Sequence, residues 1–325
     1  MRLGVVIPCY RQERFLTRTL AALERSLAGR DWLGVLVLAA ADGGAPLPER
    51  SPHWRVLRAM GDPGARPLTP GAARNAGFEA CGGAWVLFVD ADVEVESDWV
   101  DRACRVAATD VRVAGLWGRI EEWFEDGTRV RQGSRDLYRV GDGDAESRYT
   151  ATLSFYRRDA LAQVRGYDAR LQSEEDFELG LRLRQAGYPM RTLAPLAAKH
   201  WSAPRPTFAE VGRRWRTGLS FGPGQALRLY LGRSGFAELA WRNAHYVAML
   251  ALWLAAPVVA ALAGGRGLAA WGLVLLSLFL VLALRKRSLR LALHSLVTWT
   301  VTMAGMLVGF VRGGETGVVN VREVA

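Results

Sequence analysis

Gly71-Ala72-Ala73-Arg74-Asn75-Ala76-Gly77-Phe78-Glu79-Ala80-Cys81-Gly82-Gly83-Ala84-Trp85-Val86-Leu87-Phe88-Val89-Asp90-Ala91-Asp92 reads as a helix, a tight turn, a buried strand and then two acids. Trp85 to Val89 is an unbroken apolar run of β-branched and aromatic residues, the pattern of a strand covered on both faces in a parallel sheet. The run stops at Asp90. Open α/β sheets bind ligands outside the carboxyl ends of their strands, so Asp90 and Asp92 are delivered to where a site is expected. Two carboxylates at i and i+2 on a strand end suit a hard cation such as Mg²⁺ or Mn²⁺ that also holds phosphates.

Outward from this stretch, the chain alternates strands and helices. Leu3 to Ile7 is a first strand, closed by the loop Pro8-Cys9-Tyr10-Arg11-Gln12-Glu13. Phe15, Leu16, Thr19, Leu20, Leu23 and Leu27 then recur at helical spacing and make one buried stripe. Val35 to Leu38 is a second strand, and it ends in Ala41-Asp42-Gly43-Gly44, where glycine frees the backbone to approach a ligand. Strand, helix, strand implies a right-handed crossover and a parallel sheet. Trp54 to Leu57 is a third strand, and Asp62 to Pro70 is a loop rich in Pro and Gly. Downstream of Asp92, Ser97 is expected to cap a helix running to Ala108, with Asp98 in its first turn. Val113 to Ile120 is a further strand, and the polar, weakly periodic Glu121 to Arg148 predicts a mobile loop on the acceptor side. Order returns at Thr150 to Phe155. The turn Gly166-Tyr167-Asp168 precedes Glu174-Glu175-Asp176 and a helix closed at Gly187. Acids at a helix start also serve the macrodipole, so this cluster has a structural reading beside a chemical one.

Composition divides the 325 residues. Residues 1–203 mix charge with apolar runs and form the expected globular domain. Residues 204–242 interleave Arg and Trp with Phe and Leu, as in Arg213-Arg214-Trp215-Arg216, which suits amphipathic helices in a headgroup layer. Residues 243–325 form the expected membrane region, with apolar segments at His245–Ala263, Leu268–Leu284 and Leu291–Val311, each near the ~20 residues that cross a bilayer core. Pro257 is a kink candidate in the first. The loop Arg285-Lys286-Arg287-Ser288-Leu289-Arg290 carries the positive charge that orients such segments, which puts the N-terminal domain in the cytoplasm and the C-terminal tail outside. The formal charge of +10 comes almost wholly from Arg and gathers after residue 204, so anionic lipid is a better partner for it than nucleic acid. Cys9, Cys81 and Cys104 show no metal or redox spacing and read as free thiols in a reducing compartment. Leu3 to Ile7 is too short for a signal peptide.

Several of these pieces together resemble the inverting family 2 glycosyltransferases of the GT-A fold. Ile7 to Glu13 is similar to that family's opening strand and loop, and Asp42-Gly43-Gly44 to its Asp-Gly-Ser turn, where the acid holds the donor base. Gly71 to Asp92 is close throughout, Gly166-Tyr167-Asp168 resembles the Gly-Phe-Asp turn, and Glu175-Asp176-Phe177-Glu178-Leu179 resembles the acidic motif of the catalytic base. The similarity spans residues 3 to 201. It implies an α/β, Rossmann-like, mostly parallel sheet flanked by helices. It also implies donor contacts at Pro8, Tyr10, Glu13, Asp42, Arg74 and Asp90, a divalent Mg²⁺ or Mn²⁺ at Asp92 with Asp90 and His200, and catalysis by Asp176 with Glu175. The chain departs from the family at Ala41, where many members have a second acid, so base recognition rests on Asp42. Polymer-forming members carry Gln-x-x-Arg-Trp after the catalytic domain. Here Arg214 and Trp215 are present as acceptor or interface residues, but Val211 takes the Gln position, which points to one sugar transferred per acceptor.

The resemblance therefore implies a membrane-anchored enzyme moving a sugar from a nucleotide to a lipid or envelope-glycan acceptor. A polyprenyl-phosphate sugar synthase is the variant within that class. A non-catalytic membrane scaffold that keeps the fold is the alternative outside it.

Overall fold

A computed structural model describes residues 1–10, 12–40, 52–60, 68–204, 207–315 and 319–324. They form two compact units. The first comprises Met1–Leu171, Glu175–Pro204 and the residues after Glu315, and the second comprises Gln172–Glu174 and Arg205–Glu315.

The first unit is built on strands β1 (Leu3–Cys9), β2 (Trp32–Leu38), β3 (Trp54–Ala59), β4 (Trp85–Val89), β5 (Val93–Val95), β6 (Gly115–Asp126), β7 (Arg129–Gln132), β8 (Ala145–Ser147), β9 (Leu153–Arg157), β10 (Met190–Ser202) and β11 (Val321–Glu323). Its helices are α1 (Glu13–Ser26), α2 (Pro70–Ala80), α3 (Ser97–Thr109), α4 (Arg158–Gln163) and α5 (Glu175–Gln185). The sheet order is β11-β3-β2-β1-β4-β9-β6-β10-β5, with β7 on β6 and β8 on β10. The first four strands pair in parallel, as the strand–helix–strand pattern requires. β9 runs antiparallel to both β4 and β6, which makes β6 and its partner β10 parallel to β4.

The apolar run of β4 is explained by cover on both faces. Trp85, Leu87 and Val89 join one core with Leu16, Leu23, Trp99 and Val100 of α1 and α3. Val86 and Phe88 join a second with Ala73, Ala76, Leu161, Leu179 and Leu183 of α2, α4 and α5. Each fully buried side chain of this size contributes about 1.5–3 kcal/mol. Gly83 makes the turn into β4 at φ 98°, and a Cβ there would lie 2.6 Å from the Gly4 amide nitrogen, so the close approach of β1 and β4 needs glycine.

Two local expectations are revised. The N-cap of α3 is Glu96 with no capping side-chain bond, because the Ser97 hydroxyl is drawn to Ser26 Oγ at 3.0 Å. The segment from Glu121, expected as a mobile loop, is largely built. β6 runs on to Asp126 and returns as β7, Trp123 packs on Trp201 at 5.7 Å, and Arg18 holds Glu125 at 2.7 Å. Aromatic residues alternating with paired acids stabilise a strand where polarity alone suggests a loop.

The second unit contains α6 (Thr207–Arg216), α7 (Gly222–Leu229), α8 (Phe236–Arg242), α9 (Ala244–Lys286) and α10 (Leu289–Arg312). Pro257 stays within a helix, and α9 breaks instead at Gly264, with φ 55° and ψ −137°. The chain folds back there. Trp271 Nε1 donates to the Leu252 carbonyl at 2.7 Å, and the rings of Trp253 and Trp271 lie 5.4 Å apart. α9 is thus a hairpin of two apolar arms. α9 and α10 are the two helices among the described residues long and apolar enough to cross a membrane.

The tail corrects one expectation outright. β11 pairs antiparallel with β3, Val321 opposite Ala59 and Glu323 opposite Leu57, and Arg55 grips Glu323 through Nε at 2.8 Å and Nη2 at 2.7 Å. One sheet cannot be divided by a bilayer, so the C-terminal tail and the N-terminal domain share a side.

Candidate active site

The carboxyl end of β4 is held by residues at the start of β9 and on β10. The Asp90 amide donates to the Thr152 carbonyl at 3.0 Å, and the Trp201 amide donates to the Asp92 carbonyl at 2.8 Å. Thr152 holds a left-handed backbone, φ 44°, at the start of β9, a conformation that costs a non-glycine residue about 1–3 kcal/mol and gathers at functional sites. β5 then leaves the turn and pairs Val93 with His200 of β10, which brings His200 Nε2 to 3.5 Å from Asp92 Oδ2.

Asp92 is 9% exposed. Gln12, in the loop after β1, donates from Nε2 to Asp92 Oδ2 at 2.5 Å. Oδ1 is buried and has no hydrogen-bond partner among the described residues. Burial, reinforced by Asp90 and opposed by His200 and the Gln12 bond, pushes the Asp92 carboxyl up from 3.8 to about 6. A buried carboxylate oxygen left without a donor is a standing cost, and a cation relieves it.

Arg74 comes from α2, whose first turn is set by Pro70 at N1 and by Thr69 Oγ1 accepting the Ala72 amide. Its guanidinium, read from the sequence as a donor contact, is 5% exposed and committed to two acids. Nη2 donates to Asp90 Oδ1 at 2.9 Å and Nη1 to Glu175 Oε1 at 2.8 Å. Burial opposes the charge on Arg74, but Asp176, Asp90, Tyr167 and Glu175 hold it well above the ordinary arginine range. Glu175 is buried by this bridge, while Asp176, the next residue on the first turn of α5, is partly buried, with its Oδ1 enclosed. The turn before α5 is also held by α2: Asn75 donates to the Tyr167 carbonyl at 2.8 Å and accepts the Tyr167 amide at 2.9 Å.

Three phenols line the same region. Tyr138 bonds to Thr152 Oγ1, and burial, with Asp90 and Asp176 adding to it, pushes its pKa up. Burial and then Asp176 do the same at Tyr156, and burial, Tyr156 and then Asp176 at Tyr167. The carboxylate of Asp176 therefore projects its field over these three hydroxyls.

Of the residues singled out from the sequence, the structure brings Asp90, Asp92, Glu175, Asp176 and His200 to one end of the sheet. Pro8 closes β1 and Tyr10 packs beside the second core at that end. Glu13 opens α1. Asp42 lies outside the described residues. Arg214 and Trp215 fall on α6 of the second unit, where Trp215 meets Phe221 edge-on at 5.3 Å. Gln12, Tyr138 and Thr152 were not singled out from the sequence, since a neutral amide or hydroxyl in a loop makes no charge pattern. A separate cleft of about 660 Å³, lined by Asp110, Arg112, Glu146, Arg184 and Arg191 among others, contains none of these groups. Its Arg191 and Asp110 pair with each other at 3.2 Å.

Among groups of three or more His, Cys, Asp or Glu, none is placed to hold a metal among the described residues. Asp92 and His200 offer two ligands. That matches a Mg²⁺- or Mn²⁺-type site, where one or two protein ligands are completed by substrate phosphates and water.

Residues 63–165 match the family model described as Glycosyl transferase family 2, a segment that holds α2, β4 and the acids after it. No curated protein sequence matches the chain. Among solved structures, the mannosyltransferase PcManGT from Pyrobaculum calidifontis, in complex with GDP-Man and Mn²⁺, is similar over 95% of this chain and 86% of its own, with a TM-score of 0.60 and 18% identity. S. aureus TarS 1–349 in complex with UDP-GlcNAc is similar over 74% of this chain and 73% of its own, with a TM-score of 0.50 and 15% identity. These likenesses establish the fold, and the GT-A architecture expected from the sequence is borne out.

Proposed function

We propose that this chain, with its central glycosyl transferase family 2 segment, is a metal-dependent inverting glycosyltransferase anchored at the cytoplasmic face of a membrane. It takes a nucleotide sugar as donor and a lipid-linked or envelope-glycan hydroxyl as acceptor, and adds one sugar per acceptor. The observation that carries this reading is the convergence at the carboxyl edge of the same sheet of Asp92, whose Oδ1 is buried without a hydrogen-bond partner among the described residues and whose Oδ2 lies 3.5 Å from His200, and partly buried Asp176.

Asp92 and His200 would hold the divalent cation, which when bound neutralises charge on the departing diphosphate. Gln12 fixes Asp92 by holding Oδ2, which leaves Oδ1 without a hydrogen-bond partner among the described residues. Arg74 holds Asp90 and Glu175 in register without itself facing solvent. Asp42 is assigned to the donor base by resemblance. Asp176 accepts the proton of the acceptor hydroxyl as its oxygen attacks the anomeric carbon opposite the leaving group, which inverts that carbon in one step. Apolar helices α9 and α10 and the arginine-rich α6 to α8 supply the membrane anchor.

The direct test is thermal stabilisation by UDP-, GDP- and dTDP-sugars with Mn²⁺, because a ligand that binds only the folded state raises its midpoint. Stabilisation by one donor, followed by Mn²⁺-dependent release of its nucleoside diphosphate, supports the assignment. Indifference to all three, or full turnover in excess EDTA, would sink it.

Asp92→Asn separates metal binding from folding. The variant is expected to lose the Mn²⁺-dependent stabilisation while remaining at least as stable as wild type without metal, because a buried oxygen no longer has to carry charge. Calorimetric titration with Mn²⁺ is the check, and unchanged affinity would remove Asp92 from the site.

The same carboxyl predicts a pH dependence of the metal-free protein. A folded pKa of about 6 against an unfolded 3.8 means that the folded state binds more protons between these values. Asp92's contribution is therefore fully favourable below about 4 and is lost as pH rises through about 6. Denaturant midpoints of wild type and Asp92→Asn between pH 4 and 7 should diverge in that sense, and parallel curves would contradict it.

A further inference from the structure

The apolar segments of the second unit number three: two arms of α9 and the whole of α10. Each is long enough to cross. At 1.5 Å per residue the arms on either side of Gly264 span about 30 and 33 Å, against a hydrocarbon core of about 30 Å. Length therefore does not decide how many do cross. The sheet decides. β3 precedes all three segments and β11 follows them, yet they are hydrogen-bonded neighbours, with the Met60 amide on the Asn320 carbonyl at 2.7 Å and the Val324 amide on Val56 at 2.9 Å. A chain that leaves one face of a bilayer and returns to it has crossed an even number of times, so the three segments cannot all span.

Resting on the membrane reading above, we propose that α9 crosses twice as a hairpin, with the Gly264 turn on the far side, while α10 lies in the headgroup layer beside α6 and α7. Charge selects this pair. The turn at Gly264 holds one basic residue, Arg266, whereas Arg285, Lys286, Arg287 and Arg290 follow the second arm. Crossing by the second arm and α10 instead would put that basic cluster outside, against the positive-inside preference.

Packing within the unit agrees. α10 is accompanied along its length by the amphipathic helices. Phe208 of α6 meets His294 edge-on at 5.7 Å, the Gly305 and Gly309 positions press on the backbone of Ser220 and Phe221, and Arg228 of α7 donates to Phe310 O at 3.0 Å. The first arm of α9 meets α10 near the middle of α10 and within its own first three turns: His245 lies 5.8 Å from Trp299, and Trp253 Nε1 donates to Thr300 at 3.3 Å. The two arms of α9 run antiparallel to each other, from the Leu252–Trp271 contact to the Val259–Gly267 contact. The partner of the hairpin is lipid hydrocarbon. That of α10 is the boundary of anionic headgroups.

Single cysteines in the full-length protein test this, because Cys9, Cys81 and Cys104 are all buried. Gly265 has open space around a Cβ, Leu262 beside it is 81% exposed, and Asn320 is exposed at the tail. In sealed vesicles whose outer face carries the catalytic unit, an impermeant maleimide should label Asn320→Cys at once. It should label Gly265→Cys only after detergent. Leu262→Cys reports the same turn if Gly265→Cys accumulates poorly. Protection of Asn320→Cys until detergent would mean an odd number of crossings and overturn the proposal. Immediate labelling of Gly265→Cys in protein that resists carbonate extraction would mean a hairpin that does not cross, and also overturns it. Release of the whole chain by carbonate would instead overturn the membrane reading on which the proposal stands.

Discussion

Asp176→Asn is expected to turn over at about one-hundredth of the wild-type kcat or less, with donor binding and thermal midpoint near wild type. The competing role for Asp176 is that of an acid in the first turn of α5, favoured by the helix dipole and worth about 0.3–1 kcal/mol with no effect on chemistry. The two roles separate because Asn keeps the size and hydrogen bonding of Asp while losing its capacity to take a proton. The structure sharpens the contrast between neighbours. Glu175 is buried against Arg74, so its loss acts through packing and charge, whereas Asp176 beside it is only partly buried. A variant that melts early and turns over normally would make Asp176 structural. One that is stable, binds donor and stays fully active would point to a phosphate acceptor, already ionised and in no need of a base. That is the chemistry of a polyprenyl-phosphate sugar synthase.

Arg74→Met is expected to destabilise the protein by about 3–5 kcal/mol, the usual consequence of removing one member of a buried ionic group and leaving its partners uncompensated. Arg74 has side-chain exposure of 6%, and it is bonded at 2.9 Å to Asp90 and at 2.8 Å to Glu175. Methionine fills similar volume, so the effect reports charge more than cavity. The double change Arg74→Met with Glu175→Gln should recover part of the loss, since a neutral amide no longer demands the cation. Urea midpoints for the two variants provide the measurement. A single variant within about 1 kcal/mol of wild type would show that solvent already neutralises Asp90 and Glu175, and that the bridge is not what holds α2 and α5 at the strand end.

The parallel half of the sheet was legible in the sequence for a simple reason. Strands covered on both faces must be apolar throughout, as in Trp85 to Val89, and the helices between them must present one stripe, as Leu16, Leu23 and Leu27 do. The antiparallel half was less so. β6 beyond Ile120 is stabilised by contacts with residues far away in the chain, Trp123 with Trp201 and Glu125 with Arg14 and Arg18, and no local period reports such partners. At the site, residues with formal charge were visible and those acting through one neutral bond were not. Asp92 stood out at the strand end, but Gln12, which aims it from 80 positions earlier, did not. The placement of Ser97 failed because a hydroxyl can satisfy either its own helix or a neighbour, and Ser26 is the nearer partner. The tail was misplaced for a related reason: counting apolar segments assumes that each spans, and β11 is too short to announce the strand it will join.

That three-residue strand also imposes an order in time. Arg55 and its partner Glu323 are separated by 268 positions, so at ~5–20 residues per second the ribosome takes roughly 13 to 54 s to deliver the last strand after the edge it completes. During that interval the edge of β3 is open, and open edges recruit foreign strands. Arg55 and Arg58 place two positive charges along it, which discourages such recruitment while the apolar helices are being made. Sheet closure is therefore a late event in biogenesis, and a chain stalled or clipped before residue 319 would be released with its nascent edge still unsealed.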